Sequence, residues 1–183
     1  MKLRIISGIA GGRYINVPKS KLVRPTTDRV RETLFNLIGN KISFEGLKVL
    51  DLYAGSGSLG LECFSRGAGE IHFVENNFAV YSNLEKNINS LGSADRCKIF
   101  KMTVIKFSHL FKEPGYDLIL ADPPFFKYDI YKVTDNLLIN KYINKNGIII
   151  IERSIQTKQK DVEYFRIQPF KIIGDSCIYE IKN

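Results

Sequence analysis

Two stretches hold residue types that could do chemistry together. The first is Lys48 to Glu62, KVLDLYAGSGSLGLE. Val49, Leu50 and Leu52 suit a buried parallel strand, Gly55 to Ser58 a tight turn, and Leu59, Leu61, Cys63 and Phe64 the start of a helix. Glycines there let a ligand lie against backbone at a helix N-terminus, where N–H groups lack partners. The spacing Gly55-x-Gly57-x-x-Gly60 fits a dinucleotide fingerprint. Asp51, four residues before Gly55, opposes that reading, because a pyrophosphate beside it would meet like charge. A ligand without phosphates and carrying positive charge fits better. S-adenosylmethionine, with a sulfonium and an ammonium group, is one.

The second stretch is Asp122-Pro123-Pro124-Phe125. Consecutive prolines cannot continue a sheet ladder, so a strand stops there and the backbone stiffens. The Asp122 carboxylate and the Pro123 carbonyl become two fixed acceptors for the hydrogens of an exocyclic NH2 group. Phe125 can stack on the base that carries it. Such an amine is a poor nucleophile because it conjugates with its ring. Two fixed acceptors favour a pyramidal nitrogen whose lone pair points at a methyl donor. Glu75, 24 residues past Asp51, stands where an acid can accept both ribose hydroxyls of the donor.

Alternating strand-like and helix-like segments must position these residues. Glu70 to Glu75, Lys98 to Lys101, Tyr116 to Ala121 and Gly147 to Glu152 read as strands, with helices over Ala79 to Leu91, Val104 to Phe111 and Ile130 to Ile143. The alternation implies right-handed crossovers and an α/β fold with a doubly wound, mostly parallel, seven-stranded Rossmann-like sheet. Glu163 to Ile173 and Cys177 to Ile181 read as a hairpin, giving an antiparallel last strand. In such a sheet ligands bind beyond the carboxyl ends of the strands, and Asp51, Glu75 and Asp122 all occupy such ends. Before the glycine loop, Leu3 to Ser7 and Arg13 to Val17 form an N-terminal β-hairpin extension. A helix capped by Thr27 or Asp28 follows, with Val30, Leu34, Leu37 and Ile38 on its buried stripe. The expected division is a basic extension over 1–46 and a catalytic domain over 47–183.

Charge supports that division. Residues 1–48 carry ten Lys/Arg against three acids, whereas residues 49–183 carry 17 against 16. Almost the whole net charge of +8 therefore precedes the glycine loop, the footprint of a polyanion-binding appendage on a neutral body. Arg13, Arg24, Arg29 and Arg31 are the expected phosphate contacts. Cys63, Cys97 and Cys177 are odd in number and far apart, which suits reduced thiols of a cytoplasmic protein. The start, Met1 to Ile6, lacks the apolar stretch of a signal peptide, and no run suits a membrane span. Neither His72 nor His109 has a second ligand at metal spacing, so no metal is expected.

The arrangement Asp51…Gly55-Ser56-Gly57 with Asp-Pro-Pro-Phe at 122–125 resembles class I S-adenosylmethionine-dependent amino-methyltransferases. Arg4-Ile5-Ile6, Gly12-Arg13 and the run from Arg24 to Asn36 narrow the resemblance to the small-subunit ribosomal RNA guanine-N2 methyltransferases of the RsmD type. The resemblance implies methyl transfer to N2 of a guanine in 16S rRNA, within assembling 30S subunits and their ribosomal proteins, by a monomeric enzyme. It implies cofactor contacts from Asp51, Ala54, Gly55, Ser56, Gly57, Glu75, Asn76, Met102 and Thr103. Gly55 to Gly57 would cradle the methionine part, and Met102-Thr103 would flank adenine. Asp122, Pro123, Pro124 and Phe125 would hold the guanine. Asn77 is neutral where some relatives carry an acid, and Asn36 faces either the cofactor or local backbone. Adenine N6 and a protein glutamine amide remain open as acceptors, since the proline turn serves those too. A nicotinamide oxidoreductase leaves Asp51 unexplained and gives the proline turn no task. A pure RNA-binding module would bind no cofactor.

Overall fold

The computed structural model describes residues 1–18, 28–110, 115–124 and 127–182. The basic loop at 19–24, the proposed Thr27 cap, Arg24 and Phe125 lie outside them. The strands are Lys2–Arg4 (β1), Tyr14–Asn16 (β2), Lys48–Leu52 (β3), Glu70–Val74 (β4), Cys97–Phe100 (β5), Tyr116–Ala121 (β6), Ile143–Ser154 (β7), Lys171–Ile173 (β8) and Ser176–Lys182 (β9). The helices are Asp28–Gly39 (α1), Ser58–Ser65 (α2), Phe78–Leu91 (α3), Val104–His109 (α4), Asp129–Ile139 (α5) and Lys158–Phe165 (α6).

Seven strands form one sheet in the order β5-β4-β3-β6-β7-β9-β8. β5, β4, β3, β6 and β7 run parallel, and β9 is antiparallel to both β7 and β8. The chain leaves β3 towards β4 on one side and later returns to β6 on the other. The carboxyl ends of β3 and β6 therefore border the crevice where strand order reverses, and Leu52 is paired in register with Ala121.

Side chains alternate between the faces of the sheet. Val49, Ile71, Phe73, Leu118, Leu120, Ile148 and Ile150 join a cluster with residues of α1, α2 and α3. Leu50, Leu52, Val74, Ile119, Ala121, Ile149 and Ile151 join a second cluster with residues of α4 and α5. Both faces are covered, which is why these strands read as continuous apolar runs.

The N-terminal hairpin packs directly on this body. Ile5, Ala10 and Ile15 belong to the same apolar cluster as Val49 and Phe73. Glu62 of α2 is fully buried and accepts hydrogen bonds from the Ile6 amide at 2.8 Å and the Ser7 amide at 3.1 Å. The Arg66 Nε, at 2.8 Å, completes the neutralisation of that carboxylate. The hairpin turn then lies so close to α2 that a Cβ on Gly8, at φ +83°, would fall 1.7 Å from the Ser65 carbonyl oxygen.

Three sequence expectations need correction. Glu163 to Phe165 end helix α6 rather than start a strand, so β8 is confined to Lys171–Ile173. The cause is Asp161, fully buried, which accepts from Tyr131, Arg153 and Thr157 and winds the chain inward. Ile143 opens β7 instead of closing the preceding helix. On α1 the buried residues are Arg31, Leu34, Phe35 and Ile38, with Val30 and Leu37 only half-buried.

Glu62→Ala would strand two hairpin amides and the Arg66 guanidinium. Breaking one side of a buried charged cluster costs about 3 kcal/mol. The expected outcome is a drop of roughly 10 °C in melting temperature, with loss of amide protection at Ile6 and Ser7 read by hydrogen exchange.

Candidate active site

The glycine loop is held in an unusual backbone state. Tyr53, Gly55 and Gly57 all take positive φ, at 58°, 56° and 81°. Tyr53 is not a glycine, so its left-handed conformation stores strain that the surroundings must impose. Gly57 has no room for a side chain, since a Cβ would sit 2.4 Å from Leu84 Cδ1. At Gly55 the nearest neighbour of such a Cβ would be the Tyr53 carbonyl oxygen at 3.8 Å, so this residue borders open space. The loop is closed by Gly57 N–H donating to the Ala54 carbonyl at 2.7 Å and tied to β4 by Ala54 N–H donating to the Val74 carbonyl at 3.1 Å. Ser56 lies largely buried, its carbonyl accepting from Asn87 Nδ2 of α3 at 2.9 Å. α2 begins with no side-chain cap at Gly57. Its first amides, apart from that of Gly60, which donates to Asp51 at 2.8 Å, offer an anion site of the kind a ligand carboxylate fills.

Two carboxylates clamp this loop. Asp51 lies inside β3 rather than at its end and is 2 % exposed, accepting from the Gly60 amide at 2.8 Å. Burial is the main cause that pushes its carboxyl up to about 8. The Gly60 hydrogen bond works against this and the nearby Glu75 charge adds to it. The sequence argument took Asp51 as an open carboxylate that repels phosphate. The structure instead has a buried acid beneath the loop, because Asp51 shares the inward face with Val49. Glu75, just past β4, accepts from the Gly55 amide with Oε2 at 3.1 Å and from the Asn77 amide with Oε1 at 2.8 Å. It is half-buried and keeps lone pairs for further donors.

The remaining expected cofactor residues line the same edge. Asn76 is exposed beside Glu75. Asn77 caps α3, its side chain accepting from the Ala79 and Val80 amides at 3.0 and 3.1 Å. Helix capping is thus the task the structure shows for Asn77. Met102 is half-buried past β5, and Thr103 caps α4 by accepting from the Lys106 amide at 3.3 Å. Asn36 is exposed on α1.

Asp122, Pro123 and Pro124 leave the sheet immediately after β6, beside the loop that leaves β3. Asp122 is half-buried, Pro123 buried and Pro124 exposed. The turn is closed by Lys127 N–H donating to the Pro124 carbonyl at 2.9 Å. Two residues that sequence reasoning missed brace it. Tyr53 donates its hydroxyl to Asp129 Oδ1 at 3.0 Å, joining the strained loop to the first turn of α5. Arg153, 2 % exposed, donates Nη1 to the Lys127 carbonyl at 3.2 Å and Nε to Asp161 at 3.1 Å. A charged pair inside the apolar run Ile148 to Ser154 was the available signal for Arg153. Nothing in the sequence marked Tyr53.

The expected phosphate contacts are redistributed. Arg29 is exposed. Arg13 donates to the Leu91 carbonyl at 3.3 Å and to the Ser90 carbonyl, where it caps the C-terminus of α3. Arg31 is fully buried, donating to the Arg4 carbonyl and to Asp28 Oδ1, each at 2.6 Å. It fastens α1 under the hairpin and presents no guanidinium to solvent. The outer face of the hairpin instead carries exposed Lys2, Arg4 and Tyr14, with Arg4 and Tyr14 directly opposite in register. Among the described residues no helix is long and apolar enough to cross a membrane, and no group of acids, histidines and cysteines could hold a metal ion.

Sheet order, glycine loop and proline turn together define a methyltransferase of the class I fold. The chain belongs to the family described as Conserved hypothetical protein 95, whose model matches residues 3–182. It is 36% identical over 156 residues to Ribosomal RNA small subunit methyltransferase D of Escherichia coli, covering 85% of this chain and 76% of that one. With the Haemophilus influenzae protein of the same name it shares 35% over 154 residues, 82% of this chain and 78% of that one. The solved structure of yhhF from Escherichia coli aligns with TM-score 0.82 at 28% identity, covering 100% and 99% of the two chains. Precorrin-6y C5,15-methyltransferase of Geobacter metallireducens, at 19% identity and TM-score 0.65 over 83% of this chain and 75% of that one, shares the fold.

The raised Asp51 carboxyl has a sign that stability can read. The folded state holds a proton there between the ordinary value of 3.8 and about 8, and the unfolded chain does not. Stability from this group is complete below the lower value and is lost as pH rises through the upper one. Asp51→Asn keeps the acceptor for Gly60 without the charge. Its melting temperature is expected to match the parent only below about pH 4 and to exceed it increasingly as pH rises, by several degrees at pH 8.5, measured by calorimetry.

Proposed function

We propose that this methyltransferase moves a methyl group from S-adenosylmethionine to N2 of a guanine in 16S rRNA of the small subunit. The observation that carries the reading is the placement of the Asp122-Pro123-Pro124 turn beside the strained glycine loop, at adjacent carboxyl ends of β3 and β6. The residues fit the donor. Gly55 borders open space, Glu75 holds unused lone pairs for ribose hydroxyls, and the uncapped α2 suits the methionine carboxylate. Asn76, Met102 and Thr103 would flank adenine. When bound, the donor supplies an electrophilic methyl on a sulfonium.

The chain's own residues then do the rest. The Asp122 carboxylate and the Pro123 carbonyl accept the two N2 hydrogens and hold the lone pair on line. Phe125 stacks on the guanine, as the sequence reading has it. No prior deprotonation is needed, because the amine becomes acidic once methylated and Asp122 can then take the proton. The base must leave its stack to arrive, at a cost of a few kcal/mol. Arg29 with Lys2, Arg4 and Tyr14 would hold the RNA backbone. In this reading residues 1–46 divide from 47–183 by task, RNA contact against catalysis, although the two pack on one core. The enzyme would act as a monomer in the cytoplasm on assembling 30S particles. The names of the Escherichia coli and Haemophilus influenzae relatives support the ribosomal substrate; guanine N2 rests on the likeness of the motifs.

The test is transfer of labelled methyl to undermodified 30S particles, free rRNA, DNA and protein, followed by nucleoside mass spectrometry. N2-methylguanosine in 16S rRNA is expected; label in N6-methyladenosine or glutamine alone would replace the reading. Asp122→Ala is expected to lower turnover at least 100-fold while S-adenosylhomocysteine affinity stays within a few-fold. Unchanged turnover would remove Asp122 from the chemistry.

A further inference from the structure

Beside the proline turn, α5 and α6 enclose a groove of about 610 Å³ lined by Tyr131, Asp135, Lys160, Glu163, Tyr164 and Arg166. Two exposed tyrosines are found here: Tyr164, 42 % exposed, lines the groove, and Tyr128, 40 % exposed, stands with its ring centroid 5.8 Å from that of Tyr131 in the lining. Tyr164 stacks on Tyr131 with ring centroids 4.3 Å apart and planes 14° apart. Lys160 Nζ sits 4.9 Å from the centroid of the Tyr128 ring. Part of each ring stays open to solvent beside these cations, and exposed aromatic faces next to cationic side chains are the kind of surface on which unpaired bases stack.

The floor beneath them is rigid. Fully buried Asp161 accepts from Tyr131 Oη at 2.6 Å, from Thr157 Oγ1 at 2.6 Å and from Arg153 Nε at 3.1 Å. The Arg153 guanidinium lies 5.9 Å below the Tyr128 ring and 6.0 Å from the Tyr131 ring. Its Nη1 reaches the Lys127 carbonyl, so one buried network joins the tyrosine ledge to the turn that would grip the target base. A buried charged network of this kind is expensive to keep. Arg153 braces the proline turn through Lys127, but methyl transfer at Asp122 gives the exposed rings of Tyr128 and Tyr164 no task.

We infer that this ledge holds an unpaired base of the substrate RNA next to the target guanine in the strand. A base stacks on Tyr164 and Tyr128, and Lys160 and Arg166 meet its backbone. Asp135, which accepts from the Tyr164 hydroxyl, and exposed Glu163 place acceptors at the groove, suited to the amino groups of a base rather than to phosphate. Extruding the target base leaves its neighbour without a stacking partner, and the ledge supplies one. A double-helical RNA would offer no such free face.

The inference rests on the RNA substrate proposed above, and the test separates the two. Methylation kinetics are measured on undermodified 30S particles for the parent, Tyr128→Ala, Tyr164→Ala and Tyr164→Phe, with S-adenosylhomocysteine affinity as a check of folding. Each alanine variant is expected to raise KM for the particles at least five-fold with kcat changed less than two-fold. Tyr164→Phe, which keeps the ring, should stay within two-fold of the parent. If both alanine variants bind S-adenosylhomocysteine normally and keep the parental KM, the ledge does not touch RNA and the inference falls. If the parent itself labels only protein, the RNA reading fails and the ledge falls with it. If the parent labels adenine in RNA, the ledge is judged by the same KM values.

Discussion

The structure depends on two carboxylates that hold one loop. Glu75 accepts from Gly55 and Asn77, and Asp51 accepts from Gly60. These bonds satisfy backbone N–H groups that a turn with three left-handed residues would otherwise leave without partners. They also fix the loop between β3 and β4, so that Gly55 faces open space rather than packed side chains. Tyr53, at φ 58°, stands at the start of this loop and links it to Asp129 of α5. The cofactor edge and the proline turn are thus one mechanical unit. Glu75 is half-buried just past β4 and keeps lone pairs for further donors, while Asp51 is buried and its carboxyl is pushed up by that burial.

How much of this was legible follows from what each feature needs. The parallel sheet was readable because both faces are buried, giving unbroken apolar runs such as Ile148 to Ile151. The loop and the turn were readable because glycine and proline act on backbone, through bonds their neighbours cannot change. α6 was not readable, since Val162, Tyr164 and Phe165 favour strands in isolation, and the helix is held by contacts distant in sequence: the partners of Asp161 and the packing of Val162 and Phe165 on the second core. Arg31 was misassigned for a related reason. Its charge is plain in sequence, but its burial is decided by where the hairpin lands, through the Arg4 carbonyl. Arg13 likewise meets carbonyls of α3 far along the chain. Among the described residues, charges near the N-terminus therefore fall into two groups, Arg31 buried beneath the hairpin and Lys2, Arg4, Arg13 and Arg29 exposed.

The hairpin gains a second meaning from this sorting. It is secured by Glu62 and by Ile5, Ala10 and Ile15 in the main core, which makes its outer face a fixed surface and not a loose arm. The hairpin joins the core on the face covered by α1, α2 and α3, and the tyrosine ledge lies between α5 and α6, whose apolar residues belong to the other face. Phosphate attraction would set the approach of the RNA, and stacking would set its register.

The account is tested most directly by a crystal structure of the chain with S-adenosylhomocysteine. It should place the ribose hydroxyls on Glu75, the amino-acid part over Gly55 to Gly57, and the sulfur facing Asp122 across a gap wide enough for one nucleobase. A sulfur pointing away from Asp122, or an adenosine lying anywhere other than along the ends of β3, β4 and β5, would contradict it.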